Sequence, residues 1–431
     1  DYQSAGSVLE DRYLKACQSM DRTIAPEDEM RSSRNLSEDV YMFGGRTALK
    51  VCHQAMAMAG KRELKRSLDF PCGHGRALRY FRAAYPDADI FAVCDFLKPK
   101  EKHFLNNKKV TTTFIQRLPF AAKKFQSYLP LMPLAIEQLD MSAYDVVISS
   151  SHAVSKGVIT GPDQIHVSYV HSPIRYAWDF QHQYLRESGL NKGLKGWLAK
   201  YLLHKIRIWD YRTAAGVNHF IGNSRFIARR INKVYGRQAD VIYPPVNTDK
   251  FEFSDKKEDF YLAACRMVPY KRVDLIVSAF AKMPDKKLVV IGDGSEMDKI
   301  KQLAMDNITL LGYQDDAAMV DYMKRAKAYV FAAEEDFGIS PVEAQASGTP
   351  VITFGKGGCL ETVKPLGSDK PTGLFFFEQT ADAICEAVNT FEKYADEIKP
   401  EDCREHALTF SEQRFRDEIS QYVDSAWAQY S

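Results

Sequence analysis

Glu335-Asp-Phe-Gly-Ile-Ser-Pro-Val-Glu343, continued by Ala-Gln-Ala-Ser-Gly-Thr-Pro350, sets two carboxylates eight positions apart around a glycine-containing turn. The apolar run 328–332 predicts a strand in front of it, and a helix is expected to open near Pro341. A strand, a turn with unbonded N–H groups and a helix N-terminus together cradle phosphate. Carboxylates on either side accept hydrogen bonds from hydroxyls flanking that phosphate. A ligand with sugar hydroxyls on both sides of a diphosphate fits this layout. The plainer alternative is a strand-to-helix connection with two surface acids, and the continuation through Gly-Thr-Pro350 and Val351-Ile-Thr argues against it.

Upstream, Phe260-Tyr-Leu-Ala-Ala-Cys-Arg266-Met-Val-Pro-Tyr-Lys271 puts two cations at the end of another predicted strand. When a bond from sugar to phosphate breaks, negative charge builds on the departing diphosphate. Preplaced cations stabilise that charge more in the transition state than in the ground state. Arg266 can engage two oxygens at once, while Lys271 is a point charge expected to face solvent. Glycines in Val289-Val-Ile-Gly-Asp-Gly294 and Leu310-Leu-Gly312 permit close backbone approach to a nucleotide. The rival chemistry for paired acids is glycoside hydrolysis, with carboxyl groups roughly 5–10 Å apart across a sugar. That reaction has no use for cations aimed between the acids.

Together these runs resemble the retaining glycosyltransferases of family 4, which have the GT-B fold. Cys265 departs from the pattern, standing where the family usually has glycine. The resemblance implies that Arg266 and Lys271 stabilise the leaving diphosphate and that Glu335 contacts hydroxyls of the transferred sugar. Backbone N–H groups of Phe337, Gly338, Ile339 and Ser340 would hold sugar and phosphate oxygens, and Glu343 the ribose. Gly294 falls at one of the family's strand ends. Tyr169-Val-His171-Ser-Pro resembles the family's H-x-P element, whose histidine approaches the sugar. Between Phe114 and Asp179 the match is to a bacterial subgroup that includes O-antigen mannosyltransferases, so the resemblance covers roughly 85–431. It implies a nucleoside diphosphate sugar as donor (GDP-mannose, by subgroup), a glycan or lipid-linked glycan as acceptor, and no required metal or cofactor.

Strand patterns alternate with helical ones, the mark of an α/β protein with parallel, doubly wound sheets. Strands are expected at 67–70, 90–93, 146–149, 167–170 and 219–221, and again at 260–264, 287–291, 308–310, 328–332 and 351–353. Between the two series lies Val241-Ile-Tyr-Pro-Pro-Val-Asn-Thr-Asp249, whose adjacent prolines suit a hinge. The expected fold is therefore GT-B, two Rossmann-like domains facing across a cleft, with extra N-terminal helices. The divisions are a helical extension at 1–64, an acceptor domain at 65–243, a donor domain at 244–409 and a helix at 410–431. That last helix carries Phe415, Ile419, Tyr422, Val423 and Ala426 on one face and is expected to cross back to the first domain.

The 431 residues allow two or three domains with sizeable cores. A net charge of +2 gives no case for a nucleic-acid partner. Eight scattered cysteines without a C-x-x-C pair point to reduced thiols rather than a zinc site or disulfide framework. With no long uncharged apolar run and no leader pattern, a cytoplasmic protein is expected.

The first eighty or so residues read differently. Leu68-Asp69-Phe-Pro-Cys-Gly73-His-Gly75 resembles motif I of class I S-adenosylmethionine methyltransferases, and Asp95 falls where such enzymes hold the ribose. The sequence after about residue 97 continues as glycosyltransferase, so the expectation is a chimera, natural or engineered, with Asp69, Gly73, Gly75 and Asp95 as a vestigial S-adenosylmethionine site. Two other functions stay open on that ground, a methyltransferase-related protein and a catalytically weak nucleotide-sugar binder.

One further stretch concerns the acceptor. Residues 191–212 carry six cations (Lys192, Lys195, Lys200, Lys205, Arg207, Arg212) against one acid, Asp210, interleaved with Trp197, Leu198, Tyr201, Leu202, Ile206 and Trp209. A helix resting peripherally on the inner, anionic membrane leaflet is one reading. A core-packed helix with a solvated basic face is the other. Residues 114–139, with Lys123 and Lys124, are open in the same way.

Overall fold

The structure is a computed structural model that describes residues 67–69, 89–97, 102, 109–144, 146–415 and 418. The helices expected within 1–64, the turn holding Gly73 and Gly75, and most of the helix expected at 410–431 lie outside the described residues. Contacts divide the chain into two compact units, one including the described residues up to Ile242 and the other comprising Tyr243–Phe415.

In the first unit the strands are β1 (Ser67–Asp69), β2 (Ile90–Ala92), β3 (Val110–Thr112), β4 (Val146–Ser151), β5 (Ile165–Val170), β6 (His219–Gly222) and β7 (Asp240–Val241). Five of them form a parallel sheet in the order β1-β4-β5-β6-β7, and β2 pairs with β3, also in parallel. Parallel neighbours need crossovers. The crossover from β5 to β6 includes helix α1 (Gly193–Thr213), and that from β6 to β7 includes α2 (Arg225–Tyr235). Ser224 caps α2 by accepting the Ile227 N–H at 3.1 Å, and Gly236, with φ 65°, ends it in the left-handed conformation that glycine tolerates. A buried ion pair locks α1 in place. Lys156 Nζ lies 2.9 Å from Asp210 Oδ1 and donates to the Asp210 carbonyl and Thr213 Oγ1, while Trp178 and Tyr235 donate to the Asp210 carboxylate.

The second unit holds β8 (Tyr261–Ala264), β9 (Leu288–Ile291), β10 (Ile308–Gly312), β11 (Ala328–Phe331), β12 (Val351–Phe354) and β13 (Gly373–Phe376). All are parallel, in the order β10-β9-β8-β11-β12-β13. Every residue of β8, β11 and β12 is buried, as continuous apolar runs require when both faces are covered. Alternation along β8 splits the core in two. Tyr261 and Ala263 join the cluster that includes α3 (Val273–Ala281), whereas Leu262 and Ala264 join that beneath α4 (Asp316–Arg325) and α5 (Ile339–Ala346). Helices α6 (Ala381–Tyr394) and α7 (Pro400–Leu408) complete the two layers.

Three strands are absent from the sequence expectation. β3 is three residues of Val-Thr-Thr, β7 only two, and β13 opens on a glycine. Each is held by a neighbouring strand, since its own pattern is too short to show period. β7 also ends at Val241, before Pro244 and Pro245, neither of which can donate to a ladder.

Candidate active site at the ends of β8 and β11

The strand order of the second sheet reverses between β8 and β11. Chain leaving those two strands diverges to opposite faces, which opens a crevice at their carboxyl ends, the place where doubly wound sheets bind ligands. The segment after β8 carries Arg266 and Lys271, and the segment after β11 carries Glu335. The fold therefore joins at the switch point two motifs that the sequence holds 64 positions apart.

Lys271 Nζ lies 2.5 Å from Glu335 Oε1, with both side chains mostly buried. This corrects the expectation of a solvent-facing lysine, because the tight turn Pro269–Lys271 folds the side chain inward over the rings of Phe331 and Tyr270. Burial disfavours the ammonium, but Glu335 above all, then Tyr270 and Cys265, outweigh it and hold the Lys271 pKa above the ordinary lysine range. Arg266 is exposed, and no described carboxylate forms an ion pair with it.

The loops around the pair are fixed by backbone contacts. Met267 N–H donates to the Asp293 carbonyl at 2.9 Å and Cys265 N–H to Ile291 at 3.1 Å, so the ends of β8 and β9 are tied together. Gly294 lies so close to them that a Cβ there would stand 2.3 Å from the Met267 carbonyl oxygen. After β12, Gly358 N–H donates to the Glu335 carbonyl at 2.8 Å. A Cβ on Gly358 would stand 2.3 Å from Phe337 Cα. Gly357 and Gly358 thus support the acidic loop from behind, a role the sequence reading did not assign. The Gly355-Lys-Gly-Gly358 run just past a predicted strand was the available signal.

Phe337 itself is buried, its ring packed against Tyr243 and Phe410. It anchors the turn by its side chain. Gly338, with φ 90°, stands as the N-cap of α5, and no side chain caps that helix. Ile339 is exposed and Ser340 half-buried, its hydroxyl bonded to that of Tyr329. The N-terminal N–H groups of α5 carry partial positive charge, which suits an anion. The helix begins two residues ahead of Pro341, which is tolerated in a first turn.

Glu343 lies one turn into α5. Burial raises its pKa, Lys250 opposes that rise and Asp316 adds to it. The Lys250 side chain is itself buried, with Nζ 3.9 Å from Asp316. Lys250 was missed because the sequence reading ended its hinge at Asp249. In the first unit, His171 follows β5, its N–H donating to Ser151 O at 2.8 Å and its ring meeting that of Tyr169 edge-on. Burial, helped by nearby His152, lowers its pKa to about 4, so His171 is neutral at physiological pH.

Asp69 is the last residue of β1, which pairs with β4. Asp95 is engaged with Lys102 Nζ at 2.5 Å and accepts the Leu97 N–H. Gly73 and Gly75 lie outside the described residues. Among the described residues, no group of three or more His, Cys, Asp or Glu side chains could hold a metal ion.

Comparison with known proteins bears on the fold and the family. Residues 76–250 fit the family model described as Glycosyltransferase Family 4, and 247–409 that described as Glycosyl transferases group 1. A D-inositol 3-phosphate glycosyltransferase of Mycobacteroides abscessus is 31% identical over 173 residues, which is 34% of this chain and 38% of that protein. A GDP-mannose-dependent monoacylated alpha-(1-6)-phosphatidylinositol monomannoside mannosyltransferase of Corynebacterium glutamicum is 28% identical over 194 residues, 38% of this chain and 50% of its own length. The chain thus spans half or less of the length of these relatives. In fold it is similar to Anabaena Alr3699/HepE, solved in complex with UDP, with TM-score 0.56, 17% identity and coverage of 84% of this chain and 99% of that one. It is also similar to sucrose-phosphate synthase from Thermosynechococcus elongatus, with TM-score 0.62, 16% identity and coverage of 85% and 100%. The two models adjoin and together span residues 76–409, a family 4 region followed by a group 1 region, and the parallel-sheet fold is that of the GT-B glycosyltransferases.

Proposed function

We propose that the chain transfers a sugar, with net retention at the anomeric carbon, from a nucleoside diphosphate donor to a glycan or lipid-linked glycan. The observation that carries this reading is the Lys271–Glu335 pair, set at the switch point beside the uncapped N-terminus of α5. A donor entering there would exchange the lysine's partner, a carboxylate, for diphosphate oxygens and free Glu335 for sugar hydroxyls. Arg266, exposed and able to bind two oxygens, would share the developing charge. The N–H groups from Phe337 to Ser340 would hold sugar and phosphate oxygens, Gly294 would admit the nucleotide closely, and Glu343 would accept the ribose hydroxyls. Lys250 would keep Glu343 ionised for that task. His171, being neutral, would serve the sugar as a hydrogen-bonding group. GDP-mannose is the proposed donor, supported by the name of the Corynebacterium relative, whereas the HepE complex favours UDP. Isothermal titration with UDP- and GDP-linked sugars decides between them.

The two acids separate in the same experiment. Glu343→Ala is expected to weaken binding of the free nucleoside diphosphate at least about tenfold, the loss of hydrogen bonds to a charged group. Glu335→Ala should leave that binding nearly intact and impair binding or transfer of the sugar. Equal weakening of nucleotide binding by both substitutions would reverse the assignment. Because the Glu343 pKa is raised, acidification should begin to weaken nucleotide binding at a higher pH than an ordinary glutamate would dictate.

We also propose that the segment before residue 90 supplies a structural replacement rather than a methylation site. β1 supports this, being hydrogen-bonded into the sheet beside β4, as does Asp95, whose carboxylate is taken by Lys102 and Leu97. Titration with S-adenosylmethionine should therefore show no micromolar binding. Such binding, abolished by Asp95→Ala, would sink this proposal.

A further inference from the structure

Helix α1 buries one side and leaves the other unpartnered among the described residues. Gly196, Ile206, Trp209 and Asp210 face the unit's interior. On the opposite side Leu194, Trp197, Tyr201, Ile208 and Tyr211 recur at helical spacing, with Leu194 88% and Trp197 66% exposed. The outward side, open in the sequence to either a membrane-resting or a solvated basic reading, carries a long apolar stripe. Its rings are already ordered. Trp197 and Tyr201 stack at 5.9 Å, and Lys205 Nζ lies 5.5 Å from the Tyr201 ring centre.

A second segment extends the patch. Leu129 packs against the cluster that contains Ile206, and Glu137 accepts hydrogen bonds from Trp209 and Arg212. This places 114–134 beside the helix, and it exposes Phe120, 79% accessible, with Leu131 and Leu134. Residues 114–136 carry three Lys or Arg and no acid. Residues 191–213 carry six, with Asp210 as the one acid, buried against Lys156. The whole chain has a net charge of only +2, so positive charge is concentrated here.

We propose that this face of α1, with the adjoining 114–134 segment, docks on an anionic membrane leaflet. Exposed Trp, Tyr, Phe and Leu gain by entering the headgroup boundary, where an indole or phenol keeps its polar edge wet. Lysines flanking them extend aliphatic stems along the lipid and keep their ammonium groups at the phosphates. A second copy of the chain is a poorer occupant, because a two-fold contact would set this basic patch against itself. Protein interfaces also deplete lysine at their cores. The inference goes beyond sugar transfer and does not rest on it.

The test is co-sedimentation of the full chain with vesicles of phosphatidylcholine alone and of equimolar phosphatidylcholine and phosphatidylglycerol, without donor or acceptor. Binding is expected only to the anionic vesicles, falling as salt rises. Lys195→Glu with Lys200→Glu should lower the partition constant about thirtyfold or more. Leu194→Ser with Trp197→Ser should lower it severalfold and remove the blue shift of tryptophan emission on lipid. Both double variants change exposed positions, and thermal melts check that they fold as the parent does. The proposal is overturned if the parent ignores anionic vesicles, if neither folded variant loses binding, or if Leu194→Ser with Trp197→Ser instead dissolves a lipid-independent dimer.

Discussion

Replacing Lys271 by alanine lowers the turnover of sugar transfer about a hundredfold, with little change in the Michaelis constant for the donor. The lysine answers charge that appears on the diphosphate as the glycosidic bond breaks, so its loss falls on the transition state. One such preorganised donor contributes on the order of 3 kcal/mol. The side chain is already turned inward over the rings of Phe331 and Tyr270, so once the diphosphate has replaced Glu335 as its partner little further reorganisation precedes the reaction. The substitution also leaves Glu335 without its cation in a mostly buried place. A stability loss of about 1–2 kcal/mol should accompany it. Steady-state kinetics with the donor identified by titration, alongside a urea melt, read both effects. Unchanged turnover with a competent donor removes Lys271 from the chemistry.

The largest effect on folding is expected in the first unit. Lys156→Met should destabilise the first unit by about 3–5 kcal/mol, the usual cost of stripping one partner from a buried ion pair. Lys156 and Asp210 are both almost fully buried. Burial presses the lysine pKa down, against the pull of Asp210, and losing that ammonium strands a carboxylate that water cannot reach. Since a domain's whole stability is about 5–15 kcal/mol, the urea midpoint of this unit should fall steeply. The second unit has its own two-layered core, so nucleotide titration should still report binding. A midpoint within error of the parent's would show that Trp178 and Tyr235 satisfy Asp210 without the lysine.

The same contrast separates what was legible in the chain from what was not. The long parallel strands were readable because burial on both faces forces continuous apolar runs, as in Tyr261–Ala264 and Ala328–Phe331. β3 and β7 were not, since two or three residues carry no period and pair only because a neighbour presents a free edge. Glu335, Gly338 and Glu343 could be picked out because strand, turn and helix follow one another locally. Their connection to Lys271 could not. A salt bridge across 64 positions depends on which two strands lie together where the sheet order reverses. Lys250 carries no local signal of its role, because it acts through a residue distant in the chain, and for Gly358 the glycine run past β12 marks a turn without naming the loop it supports.

For α1 the sequence determined that a helix would form and that it would be both basic and aromatic. It left two faces equally apolar, and so gave no direction to bury. Only packing against Glu137, Lys156 and the segment from Phe125 to Leu131 decided that Ile206 and Trp209 turn inward and Trp197 outward. Composition and local order fix which elements exist, because they are set by neighbours a few residues away. Which side chains then meet is set by the arrangement of those elements in space, and that arrangement belongs to the fold.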